Sequence, residues 1–211
     1  MRRLHRNPYL LYSILLPLTL LAYGRGNDVY QWALYQGTAY VLIPLTLSLL
    51  LGFKPSDVGL HVGSKDGYRW ALLLLILAVP VSIYGVTVPS MRDYYPIFHY
   101  SGWVDFTFKE GLMAVVMFSN EAFFRGFLLM PLAERTGNKW VAILLQNVPY
   151  TLVHVGKPGV EVPYAFAAGI VFSWIDLKSR SVLPSFIVHW TGSAFFDVLC
   201  ALYKMGALVV P

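Results

Sequence analysis

Charge is what this sequence has least of. Only 13% of its 211 residues are Asp, Glu, Lys or Arg, against about 25% in an ordinary soluble domain. Cysteine is nearly absent as well, and the single Cys200 rules out an internal disulfide and with it a disulfide scaffold. Lying inside an apolar run, Cys200 reads as a small buried hydrophobe. No low-complexity tract, internal repeat or strict apolar/polar alternation is found, which excludes disorder, collagen, solenoids and the usual β-rich soluble domains. The helix signature H-E-x-x-H of common zinc proteases is missing too. What remains is apolar: 57% of the chain by the wide count, with a mean hydropathy of +0.58.

Those apolar residues fall into runs of bilayer-spanning length, about 20 residues for a helix. Seven are expected, from Pro8 to Tyr23, Tyr30 to Phe53, Trp70 to Pro89, Lys109 to Met130, Lys139 to Val155, Val162 to Leu177 and Val182 to Leu202. The expectation is an all-α, polytopic transmembrane bundle of about seven spans, forming a single integral membrane domain over 1–211 with its motif-bearing core at about 104–205. Arg2, Arg3 and Arg6 before the first run, with Ala22 and Gly24 near its end, suggest a signal peptide. An uncleaved first span fits better, because another apolar run follows within a few residues. Placing the amino terminus inside collects Arg2, Arg3, Arg6, Lys54, Lys65, Arg69, Arg135, Lys139, Lys178 and Arg180 on one side. Arg25, Arg92, Lys109, Lys157 and Lys204 fall on the other, and ten against five predicts a multi-pass cell-membrane protein with a cytoplasmic amino terminus. The pI near 9.3 then reports topology and gives no case for a nucleic-acid partner. Trp70, Trp103 and Trp140 sit where interfacial aromatics are expected.

Ionisable groups inside spans are expensive, so each one is a candidate for function. In the fourth run, Ser119-Asn120-Glu121-Ala122-Phe123-Phe124-Arg125-Gly126 sets Glu121 and Arg125 four residues apart, on one helical face. Asn147 and His154 lie two turns apart near the end of the fifth, where Pro149 should kink the helix and free a carbonyl. His189, Ser193 and Asp197 form a polar stripe on the seventh, while Ala165, Gly169 and Ser173 give the sixth a small-residue packing face. His5, His61 and His99 fall in connections and read as solvated. Glu121, His154 and His189 thus bring one carboxylate and two imidazoles inward. Such a trio can polarise a water for hydrolysis, or alternatively ligate zinc as a His₂Glu set. By helix rise Glu121 and His189 come out roughly 15 and 12 Å from the cytoplasmic end, and His154 about 22 Å, close to the outer end. Their convergence asks for a tilted or broken fifth helix, or for a different topology.

These residues resemble the CPBP family of CAAX proteases and bacteriocin-processing (Abi) enzymes, which are intramembrane endopeptidases. The family pattern is Glu-Glu-x-x-x-Arg, then Phe-x-x-x-His, then His-x-x-x-Asn on successive spans. Here Asn120-Glu121-x-x-x-Arg125, Tyr150-x-x-x-His154 and His189-x-x-x-Ser193 follow it in order, with Asn120, Tyr150 and Ser193 as the departures. The resemblance implies a conical active-site cavity within the membrane and a glutamic-type endopeptidase acting on a membrane-associated protein or peptide. It implies that Glu121 and His154 activate water, that His189 stabilises the oxyanion, and that Arg125 braces Glu121, with Asn120, Tyr150, Asn147 and Ser193 in support. No cofactor is expected on this reading, with zinc held by Glu121, His154 and His189 as the lesser alternative. The other functional reading is a weakened or inactive scaffold or immunity protein, since Asn120 replaces the first motif glutamate. A small proton-coupled transporter using Glu121 and Asp197 is a third. The expected partners are a peptide or protein substrate and the lipid bilayer; the oligomeric state and the need for prenylation are left open.

Overall fold

In the computed structural model of the chain, residues 6–23 and 28–210 are described. Arg2, Arg3, His5, Gly24 and Arg25, used above, lie outside them. Every element among the described residues is helical.

Helix α1 (Pro8–Leu15) starts at Asn7, whose side chain accepts the Tyr9 and Leu10 N–H groups at 3.1 and 3.2 Å, and it tightens into a 3₁₀ segment, Leu16–Tyr23. Asp28 caps α2 (Val29–Leu50) through the Gln31 N–H at 2.9 Å, and α2 widens into a π-helical turn at Thr38–Leu42. Helices α3 (Lys65–Thr87) and the short α4 (Pro89–Tyr94) precede α5 (Trp103–Thr136). Helix α5 is 34 residues long, carries a π-helical segment over Ala122–Leu129, and stops at Gly137, whose φ of 63° suits glycine. Asn138 then caps α6 (Lys139–Leu152), and α7 (Glu161–Ser179) and α8 (Leu183–Lys204) complete the chain.

Each of the seven expected runs is helical, but four helices, α2, α3, α5 and α8, are long and apolar enough to cross a membrane. Helix α1 is apolar but shorter, α6 has 14 residues, and α7 carries Glu161, Asp176 and Lys178. Helix α5 runs further at both ends than its apolar run, because Asp105 and Lys109 pair at 2.9 Å along it instead of ending it. Helix α3 exposes Leu72, Leu73, Ile76, Leu77 and Ile83. A stripe of that kind is a liability in water and ordinary in lipid. Among the described residues the chain is all-helical, with four candidate membrane spans.

Helix α5 is the hub, packed against α1, α2, α6, α7 and α8. Its Phe123, Phe124, Phe127 and Leu128 fill the main core with Leu11, Leu15 and Tyr40, the Tyr40 and Phe123 rings stacking at 4.2 Å. Hydrogen bonds sort the helix termini into two ends. At one, Arg6 reaches Asp57 at 2.6 Å, Ser64 N–H reaches the Ser179 carbonyl at 2.8 Å and Val182 N–H that of Gly59 at 3.1 Å. At the other, Lys204 reaches the Asp93 carbonyl at 3.2 Å, and Tyr95 and Lys157 converge on Glu161 at 2.7 and 2.6 Å. Burial and the Glu161 carboxylate push the Tyr95 phenol well above its ordinary range, so it stays a donor. Cys200 is buried and His61 and His99 are exposed, as their positions in the sequence imply.

Candidate active site

Glu121 is the last residue of α5 before the helix opens into its π-helical segment, and it is wholly buried. Its Oε1 accepts the Nδ1–H of His189, on α8, at 2.7 Å. Its Oε2 lies 3.3 Å from Arg125 Nε, so the pair expected from the i, i+4 spacing is formed. Arg125 is also fully buried, and its guanidinium lies over the Tyr150 ring, 3.7 Å from the centroid, with Phe172 at 5.8 Å on another side. A buried guanidinium between a carboxylate and an aromatic face fixes both partners: Glu121 is held toward His189, and Tyr150 toward the next histidine.

That histidine, His154, stands just past the end of α6, and its Nδ1 lies 2.8 Å from the Tyr150 carbonyl. A carbonyl only accepts, so Nδ1 carries the proton, and in the neutral ring Nε2 keeps its lone pair. The Tyr150 ring meets His154 edge-on at 4.8 Å. Pro149 has the effect expected of it: the Leu145 carbonyl, four residues earlier, loses its helical donor and is taken by the Tyr12 hydroxyl at 2.7 Å.

His154 and His189 line one cavity of about 50 Å³, together with Trp32, Gln36, Val116, Met117, Asn120, Tyr150, Val153 and Lys157. That is room for a few water molecules, each needing roughly 10–15 Å³ by this measure. Asn120 bonds back along its own helix, Nδ2 to the Val116 carbonyl at 2.8 Å, leaving Oδ1 as an acceptor. Four of the expected residues lie outside the lining, Arg125 among them. Glu121 does not line the cavity, because both of its oxygens are turned to His189 and Arg125. Asn147 is turned to α7, where its amide donates to the Phe166 carbonyl at 2.9 Å. Ser193 is half-buried on α8 outside the lining. No three His, Cys, Asp or Glu side chains among the described residues are grouped to hold a metal ion.

Residues 105–195 match the family model described as type II CAAX prenyl endopeptidase Rce1-like. The match supports a CPBP family assignment. It runs from the first turn of α5 to the middle of α8, and so takes in all three CPBP-like motifs while leaving α1 to α4 outside. No curated protein and no solved structure matches the chain.

The buried polar residues that the sequence did not single out include Gln36, Asp176 and Glu110. Gln36, on α2 and outside the CPBP match, lines the cavity at 2% exposure, and its Oε1 has no hydrogen-bond partner among the described residues. Asp176, on α7, is fully buried and accepts the Ser185 N–H at 3.0 Å and the Ser185 hydroxyl, capping the first turn of α8 from a neighbouring helix. A carboxylate inside the run from Val162 to Leu177 was the signal for it. Glu110 is buried on α5 against Asp197 of α8, which gives the lower end of the His189–Ser193–Asp197 stripe a protein partner.

Proposed function

We propose that the chain is an intramembrane endopeptidase, resembling CPBP and CAAX proteases, that hydrolyses a peptide bond of a membrane-associated protein or peptide. One observation carries the proposal: a carboxylate-oriented imidazole, His189 on Glu121, shares a water-sized cavity with a second imidazole, His154, whose Nε2 is free to accept. In this reading a water gives one hydrogen bond to His154 Nε2 and the other to His189 Nε2. As its oxygen attacks the scissile carbonyl carbon, its proton passes to His189 Nε2, and Glu121 stabilises the imidazolium that forms. His189 then gives that proton to the departing amine as the C–N bond breaks. Glu121 is thus the source of basicity, as the CPBP resemblance implies, but reaches the water through His189, which here acts as the base and not as the oxyanion donor that the resemblance implies. Arg125 and Tyr150 hold the dyad and His154 in register. No metal is used in this scheme, and the amino terminus is cytoplasmic by the excess of Lys and Arg at that end.

The test is cleavage of an internally quenched, farnesylated peptide with a C-terminal CAAX sequence by the full chain in lipid nanodiscs. Replacing His154 or His189 by Ala is expected to lower kcat by about 10²–10⁴-fold, the range for removing a general acid–base group. Wild-type rates in both variants overturn the hydrolytic scheme. Binding of the peptide without turnover by the unaltered chain favours the inactive scaffold.

A further inference from the structure

The cavity is unevenly furnished. Its acceptors are His154 Nε2, Asn120 Oδ1 and, before it takes a proton, His189 Nε2. Donors are scarce: the Asn120 amide gives one of its two N–H groups to the Val116 carbonyl, and the Lys157 ammonium is bound to Glu161 at 2.6 Å. A hydrolytic site also needs donors, because the substrate carbonyl oxygen gains negative charge as water adds. Beside the Trp32 indole on α2, the Gln36 carboxamide is a further polar group in the lining. It is buried to 2% exposure, its Oε1 is unpartnered among the described residues, and it lines the cavity with both histidines. A buried amide oxygen without a partner is destabilising, and a bound peptide N–H would satisfy it. Its position is also held: the π-helical turn of α2 begins at Thr38, two residues on, much as the π-helical segment of α5 begins just after Glu121. Irregular turns of this kind concentrate where a helix must aim a side chain.

We propose that Gln36 is a catalytic residue that binds the substrate backbone, its NH₂ donating to the scissile carbonyl oxygen and its carbonyl oxygen accepting a neighbouring peptide N–H. A carboxamide matches a peptide unit donor to acceptor, so the ligand class is an extended backbone and not a particular side chain. As the water oxygen bonds to carbon and the carbonyl π pair moves onto oxygen, the Gln36 hydrogen bond becomes charge-assisted and strengthens. Gln36 thereby supplies, from α2, a carboxamide that Ser193 does not bring to the cavity. The inference rests on the hydrolytic reading above.

The experiment uses the full chain in nanodiscs and the same quenched, farnesylated peptide. Gln36→Leu and Gln36→Met keep the volume and remove the amide. Both are expected to lower kcat by about 10²-fold, the effect of deleting one donor to a developing oxyanion, with a smaller change in KM and an unchanged Tm. Wild-type kcat in both variants overturns the role of Gln36 while the His154 and His189 variants still judge the hydrolytic reading separately. Unfolding of both variants makes Gln36 a packing residue and also overturns it. Failure of the unaltered chain to cleave the peptide overturns the hydrolytic reading, and the role of Gln36 falls with it.

Discussion

Arg125 is the residue on which the site's stability and its chemistry most directly conflict. Its guanidinium is fully buried and Glu121, at 3.3 Å, is its ion-pair partner. Replacing Glu121 by Gln therefore removes the group that orients His189 and also strands a positive charge, at a cost of about 3–5 kcal/mol. The single variant is expected to lose both activity and thermal stability. The double variant Glu121→Gln, Arg125→Met is expected to regain most of the stability in thermal unfolding in detergent and none of the activity. No recovery of stability would mean that the pair does not act as a unit. Tyr150 separates the ring from the hydroxyl: Tyr150→Phe keeps the face under Arg125 and should stay near wild type, whereas Tyr150→Leu loses a desolvated cation–π contact of about 2 kcal/mol. Both can be read from denaturation midpoints. The Glu121–Arg125 pair was legible in the sequence because i, i+4 spacing on a helix is a local rule. Gln36 was not, since a single glutamine 85 positions before Glu121 has no spacing to mark it, and only the packing of α2 against α5 brings it to the cavity.

At the scale of the helices, the seam between α6 and α7 is set by Gly169. A Cβ there would lie 1.9 Å from Asn147 Oδ1 and 2.9 Å from Tyr150 Cδ1. Ala165 and Ser173 continue the same face, with Gln146 donating to Ser173 at 2.7 Å. Gly169→Ala is thus expected to push α6 outward and destabilise by about 1–3 kcal/mol, the usual cost of overpacking. Because α6 carries Tyr150 and leads into His154, kcat for the quenched peptide should fall as well; a variant with wild-type Tm and rate would show that the seam can relax. The small-residue pattern itself was readable, as was the freed carbonyl at Pro149. The two π-helical segments were not, because a widened turn leaves no signature in residue type and depends on the neighbours the helix must reach. The same widening carries α5 across the change of face just after Glu121. Convergence of His154 with His189 follows from the shortness of α6, which ends at Leu152 and lets a turn swing the imidazole inward.

For the whole molecule, described members of the two sets of basic residues in the topology argument also separate in space. Arg6, by its bond to Asp57, and Lys178, whose carbonyl accepts from Ser64 at 3.0 Å, lie at one end. Arg92, stacked 4.5 Å from the Tyr203 ring, lies with Lys204 and Lys157 at the other. Helices α6 and α7 have to run antiparallel between those ends whether or not each crosses the bilayer fully, which is why counting apolar residues gave seven segments and length with composition gives four. The arrangement makes a labelling prediction with Cys200 replaced by Ala, a conservative change at a buried site. Cysteines introduced at Lys54 and Lys139, both exposed, should be shielded from a membrane-impermeant thiol reagent in intact cells and react in inside-out vesicles. Those at His99 and Lys204, also exposed, should behave oppositely, with rates differing by at least about 10-fold between the two preparations. Since Lys157 lines the cavity and belongs to the second set, a cysteine at that position should follow His99 and Lys204. If it follows Lys54 and Lys139 instead, the cavity is reached from the amino-terminal side and the alternation of α6 and α7 is wrong.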